Sequence, residues 1–261
     1  MTDAWDPDQY HRFAAERARP FWDLVTLADP GPAARAVDLG CGSGELTAAL
    51  VERCSIGSVL GIDSSTAMLA EAEHHATERV RFEQGDIESW TSGDVYDLVI
   101  ANAALHWVPD HPAVLARWAA ALAPGGVVAV QVPANGDGPT HRVAARVAAE
   151  EPFASAAPDL PPDPVVSNVL APEEYAQVLY GLGLCDLHVR LEVYPHELDS
   201  SEEVVEWVKG STLTRFKRAY PPEVYAAFEA RYREVLLDEI GRRRPYLFPF
   251  KRILFTGRRP A

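Results

Sequence analysis

Residues 36–45 read Ala-Val-Asp-Leu-Gly-Cys-Gly-Ser-Gly-Glu (AVDLGCGSGE). An apolar run ends on Asp38, glycines alternate at 40, 42 and 44, and helical spacing follows over Glu45–Arg53. A strand, a glycine turn and a helix in that order leave backbone N–H groups unpaired at the helix start. The missing Cβ atoms let a ligand approach the main chain closely. The spacing is G-x-G-x-G. The dinucleotide fingerprint G-x-G-x-x-G needs glycine at 45, and Glu45 sets a negative charge where a pyrophosphate would lie, which disfavours a nicotinamide dehydrogenase. Nineteen residues beyond Gly44, Asp63 closes the next apolar run, Val59–Asp63. A carboxylate at that strand tip accepts both hydroxyls of a ribose, so loop and acid together point to a nucleoside ligand. Ser64 or Ser65 is the expected cap of the following helix, not Asp63.

Working outward, short apolar runs continue to alternate with helical stretches. Ser64–Ala76 reads as a helix, Val80–Glu83 as a strand, Asp97–Ala101 (DLVIA) as a buried strand, His111–Leu122 as a helix with Asp110 in the turn before it, and Gly126–Val132 (GVVAVQV) as another buried strand. Uninterrupted apolar strands between helices imply a mostly parallel sheet covered on both faces, a doubly wound α/β domain. Gly85, Asp86 and Ile87 follow the third strand and Asn102 ends the fourth, so all the strand tips converge on one crevice. The texture changes near residue 136. Thr140–Glu150, Glu173–Leu182, Ser201–Lys209 and Pro222–Ile240 read as helices, Leu187–Val193 and Arg252–Arg259 as strands, and the six prolines of 152–172 predict a long surface loop. The expected organisation is a helical segment over 1–34, the ligand-binding α/β core over 35–135, a helical cap with the remaining sheet elements over 136–250, and a terminal strand of the core over 251–261.

The chain of 261 residues is long enough to bury a core without staples. Its 48% apolar and 24% charged residues are ordinary globular usage. A net charge of −14 argues against nucleic acid as a partner. The acidity is uneven, however. Residues 241–261 hold seven cations and no acid, namely Arg242, Arg243, Arg244, Lys251, Arg252, Arg258 and Arg259. A few cations in a cleft suffice for a small anion whatever the global charge. Cys41, Cys54 and Cys185 form no CxxC pair and the histidines show no metal-ligand spacing, so neither a disulfide framework nor a metal site is expected. The first residues, MTDAWDPDQYHRF, carry acids and lack an apolar h-region, and no run approaches a membrane span. A cytoplasmic protein, more naturally a monomer, with no membrane partner is the expectation.

Loop, ribose acid and third-strand acid together resemble the class I S-adenosylmethionine-dependent methyltransferases over about residues 34–135. The resemblance implies a Rossmann-like seven-stranded sheet, mostly parallel, whose last strand is antiparallel, with Arg252–Arg259 in that place. It implies S-adenosylmethionine as cofactor. Asp38, Gly40, Cys41, Gly42 and Gly44 would hold its methionine part, Asp63 the ribose and Asp86 the adenine amine. Ser64, Met68 and Ile87 would flank the ring, and Asn102 would lie at the same edge. Longer strings resemble the trans-aconitate 2-methyltransferase family along almost the whole chain: WDPDQY (5–10), RARPFWDL (17–24), ANAALHWVPDH (101–111), VQVPAN (130–135), VVEWVKGS (204–211) and FPFKRILF (248–255). That likeness implies esterification of a carboxylate of a small polycarboxylic acid.

A carboxylate acceptor is already anionic at neutral pH and is its own nucleophile, so methyl transfer needs alignment and no general base. Its spare carboxylates need cations or N–H donors. Lys209, Lys251 and Arg252 are candidates, each with an ordinary alternative as a surface or helix-end cation. Tyr10 and Arg19 lie on the segment that resembles the family's cofactor-covering helix. Arg19 would pair with the cofactor carboxylate or the substrate, or be only a surface charge. Trp107 and Trp207 would wall the acceptor pocket or belong to the core. His106 is the natural base if the acceptor is instead a hydroxyl, amine or carbon centre of a specialised metabolite. A cofactor-binding regulatory protein without catalysis is the alternative of another class.

Overall fold

The computed structural model of the chain describes residues 14–261, with side chains from residue 18 onward. The string WDPDQY and Tyr10 lie outside the described residues. In chain order the elements are α1 (Ala14–Ala28), β1 (Arg35–Leu39), α2 (Glu45–Arg53), β2 (Ser58–Asp63), α3 (Thr66–Ala72), β3 (Val80–Gln84), β4 (Tyr96–Asn102), α4 (His111–Ala120), β5 (Leu122–Pro133), α5 (Pro139–Ala148), α6 (Phe153–Ala156), α7 (Pro164–Ser167), α8 (Pro172–Gly181), β6 (Cys185–Leu198), α9 (Glu202–Lys209), α10 (Thr214–Ala219), α11 (Pro222–Ile240) and β7 (Tyr246–Arg258). The seven strands form one sheet in the order β3-β2-β1-β4-β5-β7-β6. β1 pairs in parallel with β2 and β4, β2 with β3, and β4 with β5, while β7 runs antiparallel to β5. This is the doubly wound, mostly parallel sheet expected, with the antiparallel strand at the expected place.

The chain divides into two compact units. One comprises residues 17–133, 168–192 and 252–261, the other residues 134–167 and 193–251. The first holds β1 to β5, with residues 185–192 of β6 and 252–258 of β7. Its inner strand β4 is apolar on both faces, with Leu98, Val99, Ile100 and Ala101 wholly buried, the signature of a parallel strand between two helical layers. α2 turns Thr47, Leu50 and Val51 inward at one helical face's spacing. Asp110 caps α4 by accepting from the Ala113 N–H at 3.2 Å. Residues 168–192, read from sequence as part of the cap, contribute α8 to this unit, where Tyr175 stacks on Phe255 and its hydroxyl meets His111 Nδ1 at 2.7 Å.

The second unit is built on α11, whose Phe228, Tyr232 and Leu236 recur every four residues and pack with Val143, Ala144 and Val147 of α5 and with Trp207 and Phe216. Trp207 is 2% exposed, among His196, Phe248 and Phe250. It packs as a core residue, one of the two places its sequence context allowed. Trp207→Ala should cost about 3–5 kcal/mol, the usual loss for a buried large aromatic, as measured by denaturant unfolding. The proline-rich stretch is more ordered than expected. Asp163 accepts from the Val165 N–H at 3.0 Å and Pro164 opens α7, a position that suits a residue with no N–H to lose. The same carboxylate meets His141 Nδ1 at 2.7 Å, fixing the stretch to α5. The His141 contact and desolvation oppose each other at Asp163, and the former holds its carboxyl below the usual range.

Candidate active site

The carboxyl edge of the sheet in the first unit carries nearly all the cofactor residues read from sequence. Gly40, Gly42 and Gly44 all adopt positive φ, +84°, +56° and +75°, which a side chain disfavours. Gly40 passes so close to the segment after β4 that a Cβ there would lie 2.3 Å from the Cβ of Ala104. At Gly42, among the described residues and apart from its chain neighbours, no atom lies within 4 Å of where a Cβ would stand, so these residues leave that side of the main chain open. Gly40 and Cys41 donate to the Ile62 carbonyl at 2.8 and 3.1 Å, tying the loop to the end of β2.

Asp63 completes that tie. Its Oδ2 accepts from the Gly42 N–H and its Oδ1 from the Ser65 N–H, both at 2.9 Å. A carboxylate has about four lone-pair positions, so two remain. Ser65, as expected, caps α3 by accepting from Met68 N–H at 3.3 Å, Ser64 is exposed, and Met68 is buried. Asp86 is exposed and accepts from the Glu88 N–H through Oδ1, while the Ile87 carbonyl is fixed by Trp118 Nε1 at 3.2 Å. Asp38 is 3% exposed and accepts from Thr47 Oγ1 at 2.6 Å. Burial pushes its pKa up to about 7; the Thr47 bond opposes this and the charge of Asp63 adds to it. Burial likewise pushes the Cys41 thiol well up, so it is a neutral thiol and no nucleophile.

Register places a further set on the same face. Asp38 lies opposite Gly61, two residues before Asp63, and opposite Ile100, two residues before Asn102. Asn102 lies opposite Gln131, and Gln131 opposite Leu254, two residues from Arg252. Side chains two residues apart share a face, as do register partners. Asp63, Asp38, Asn102, Gln131 and Arg252 therefore stand on one face of β2, β1, β4, β5 and β7, in that spatial order. The edge is graded, with carboxylates at one end, amides in the middle and a guanidinium at the other. Asn102 Oδ1 is buried without a hydrogen-bond partner among the described residues. Arg252 is 5% exposed and donates from Nη1 to Gln131 Oε1 at 3.1 Å. His106 and Trp107 sit in the short turn after β4, the histidine buried and the tryptophan 41% exposed, with rings 4.7 Å apart. Asn168 Nδ2 donates to the His106 carbonyl at 3.0 Å.

The other cations are placed differently. Arg19 is exposed and pairs with Asp23 at 3.8 Å. Lys209 lies between Glu206 at 3.1 Å and Glu229 at 2.7 Å. Lys251 binds both carboxylate oxygens of Asp137, which holds that carboxyl below its usual range. Arg242 pairs with Glu202, Arg258 donates to the Gly125 carbonyl and Arg259 to the Leu122 carbonyl. Lys209 and Lys251 have their charge matched within their own unit, and neither is part of the acceptor site proposed below. Sequence reasoning missed Gln131 and Thr47. Gln131 had a signal, being the one polar side chain in the run Gly126–Val132.

Residues 36–126 match a family described as "Methyltransferase domain". The chain is 43% identical over 257 residues to a trans-aconitate 2-methyltransferase of Deinococcus radiodurans, covering 98% of both chains. It is 36% identical over 255 residues to one of Mycobacterium tuberculosis, covering 97% of this chain and 96% of the relative. Among solved structures it resembles the YcgJ protein of Bacillus subtilis with a TM-score of 0.60 at 17% identity, over 94% of this chain and 99% of that one, a likeness of fold.

Proposed function

This chain belongs to the family of the trans-aconitate 2-methyltransferases, and from that membership we propose that it esterifies a carboxylate of trans-aconitate, using S-adenosylmethionine. The observation that carries the reading is the graded carboxyl edge. A cationic cofactor suits its acidic end and an anionic acceptor its basic end. The residues fit the cofactor. Gly42 offers open main chain, Asp63 keeps two lone-pair positions for ribose hydroxyls, Asp86 stands beyond β3 for the adenine amine, and Asn102 Oδ1 is a buried acceptor in want of a donor. Bound S-adenosylmethionine supplies the activation, an electrophilic methyl carbon on a sulfonium.

The chain's residues then have to hold, orient and exclude water. Arg252, always charged and held in a low-dielectric setting, attracts a carboxylate more strongly than a surface cation does. Trp107 offers an exposed apolar face at the same edge. No residue needs to remove a proton, so His106→Ala should keep turnover within about tenfold of wild type, below the usual 10²–10⁴ contribution of a general base. Asp38 sets the pH dependence of cofactor binding. Its carboxyl is raised to about 7 and a cation favours its ionised form. Affinity for S-adenosylmethionine should therefore rise with pH, by up to about tenfold per unit below pH 7, and level off above it. In Asp38→Asn that slope should vanish, as read by calorimetric titration from pH 5.5 to 8.5.

The function itself is tested with methyl-labelled cofactor and a panel of tri-, di- and monocarboxylic acids. Ester formation with kcat/KM falling as carboxylates are removed is expected. Absence of ester with every acid would overturn the proposal.

A further inference from the structure

Gln131 is wholly buried near the carboxyl end of β5, yet only half of its amide is used. Its oxygen accepts from Arg252 Nη1 at 3.1 Å. A guanidinium only donates, so the amide oxygen must face it and the orientation of the group is fixed. The Nε2 end, with two N–H donors, is buried without a hydrogen-bond partner among the described residues. Buried donors left unpaired are costly and rare, and one beside a functional edge calls for a ligand atom. It lies on the same face as Asp38, Asp63 and Asn102, one strand from Arg252.

We propose that Gln131 is a specificity-determining residue whose Nε2 donates to the carboxylate of the acceptor that Arg252 binds, so that guanidinium and amide grip a non-reacting carboxylate as one unit. The inference rests on the carboxylate methylation proposed above. Two roles follow from one side chain. The oxygen holds the guanidinium in place, and the nitrogen adds a neutral donor that a carboxylate oxygen accepts and an apolar or cationic group does not. A ligand arm of carboxylate chemistry is selected over an amide or alkyl arm of the same size, because those leave a donor or the guanidinium unmatched.

The test uses the full chain and two variants. Gln131→Met keeps the length of the side chain and removes both polar atoms. Gln131→Glu keeps its shape and the acceptor for Arg252 but replaces the donor by a negative charge. In whichever variant binds S-adenosylhomocysteine with wild-type affinity, KM for trans-aconitate should rise at least about tenfold, the equivalent of one buried bond to a charged group. kcat should change by less than about threefold, the pattern of lost uniform binding. The preference of the wild type for a tricarboxylate over its mono-amide should flatten in parallel. An unchanged KM, or an unchanged preference, overturns the inference. So does loss of cofactor affinity in both variants, since it would make Gln131 a support of the cofactor loop. Failure of the wild type itself to form any ester would strike the proposed function instead, so the two failures are distinguishable.

Discussion

Arg252→Met should lower kcat/KM for trans-aconitate by roughly 100-fold or more, with the affinity for S-adenosylhomocysteine held within about threefold, since truncating one partner of a buried charge pair costs 2–5 kcal/mol. Arg252 stands at the basic end of the graded edge, three strands from β1 in the order β1-β4-β5-β7, and the carboxylates proposed for the cofactor stand at the other. The effect should fall on the acceptor alone. Arg252→Lys should recover little, because an ammonium cannot present the paired N–H groups of a guanidinium to both a carboxylate and the Gln131 oxygen. Steady-state kinetics on acid and cofactor separately make the comparison. Equal losses for both ligands would place Arg252 in the framework and not in the acceptor site.

Gly40→Ala should abolish cofactor binding at concentrations that saturate the wild type, with a marked loss of stability. The residue has φ +84°, and its new Cβ would lie 2.3 Å from that of Ala104. The backbone penalty alone is about 1 kcal/mol. The overlap adds more, since neither Cβ can move without its main chain, so the glycine loop or the segment after β4 must shift. Gly42→Ala makes the contrast. Apart from its chain neighbours that Cβ meets no atom of the described residues within 4 Å, so stability should fall by only about 1 kcal/mol. Binding should still be lost, because the methyl group takes the side from which the ligand approaches. Thermal unfolding and calorimetric titration of both variants separate a loop that fails to form from a loop that forms and is blocked.

The parallel part of the sheet was legible in the sequence because its central strands β1, β4 and β5 carry continuous apolar runs with a polar residue at or near the carboxyl end. Asp38 and Asn102 are such residues, Asp63 likewise ends β2, and local pattern suffices to find them. β7 was found only in part. The reading began it at Arg252, whereas it starts at Tyr246, because Pro249 interrupts the stretch and alternation replaces the continuous apolar run. The proline-rich stretch misled for a related reason. Proline forbids a helix interior but opens a first turn, and Asp163-Pro164 does so. Which cations are paired with acids was not legible at all. Lys209, Lys251 and Arg252 look alike along the chain and are told apart by partners that folding brings beside them, among them Glu206 and Glu229, Asp137, and the buried amide of Gln131. Long-range partners carry no local signal. The same holds for the tie between Asp63 and Gly42, 21 residues apart, which joins the acid at the end of β2 to the glycine loop.

The central claim is that the chain methylates a carboxylate that needs no base. It is tested most directly by the alkali lability of the transferred label. With methyl-labelled S-adenosylmethionine and trans-aconitate, the product should carry its label in an ester that mild alkali releases as methanol, equally in the wild type and in His106→Ala. Label that resists alkali, or that disappears with His106, would mean an amine, carbon or ether product made with a general base, and would contradict it.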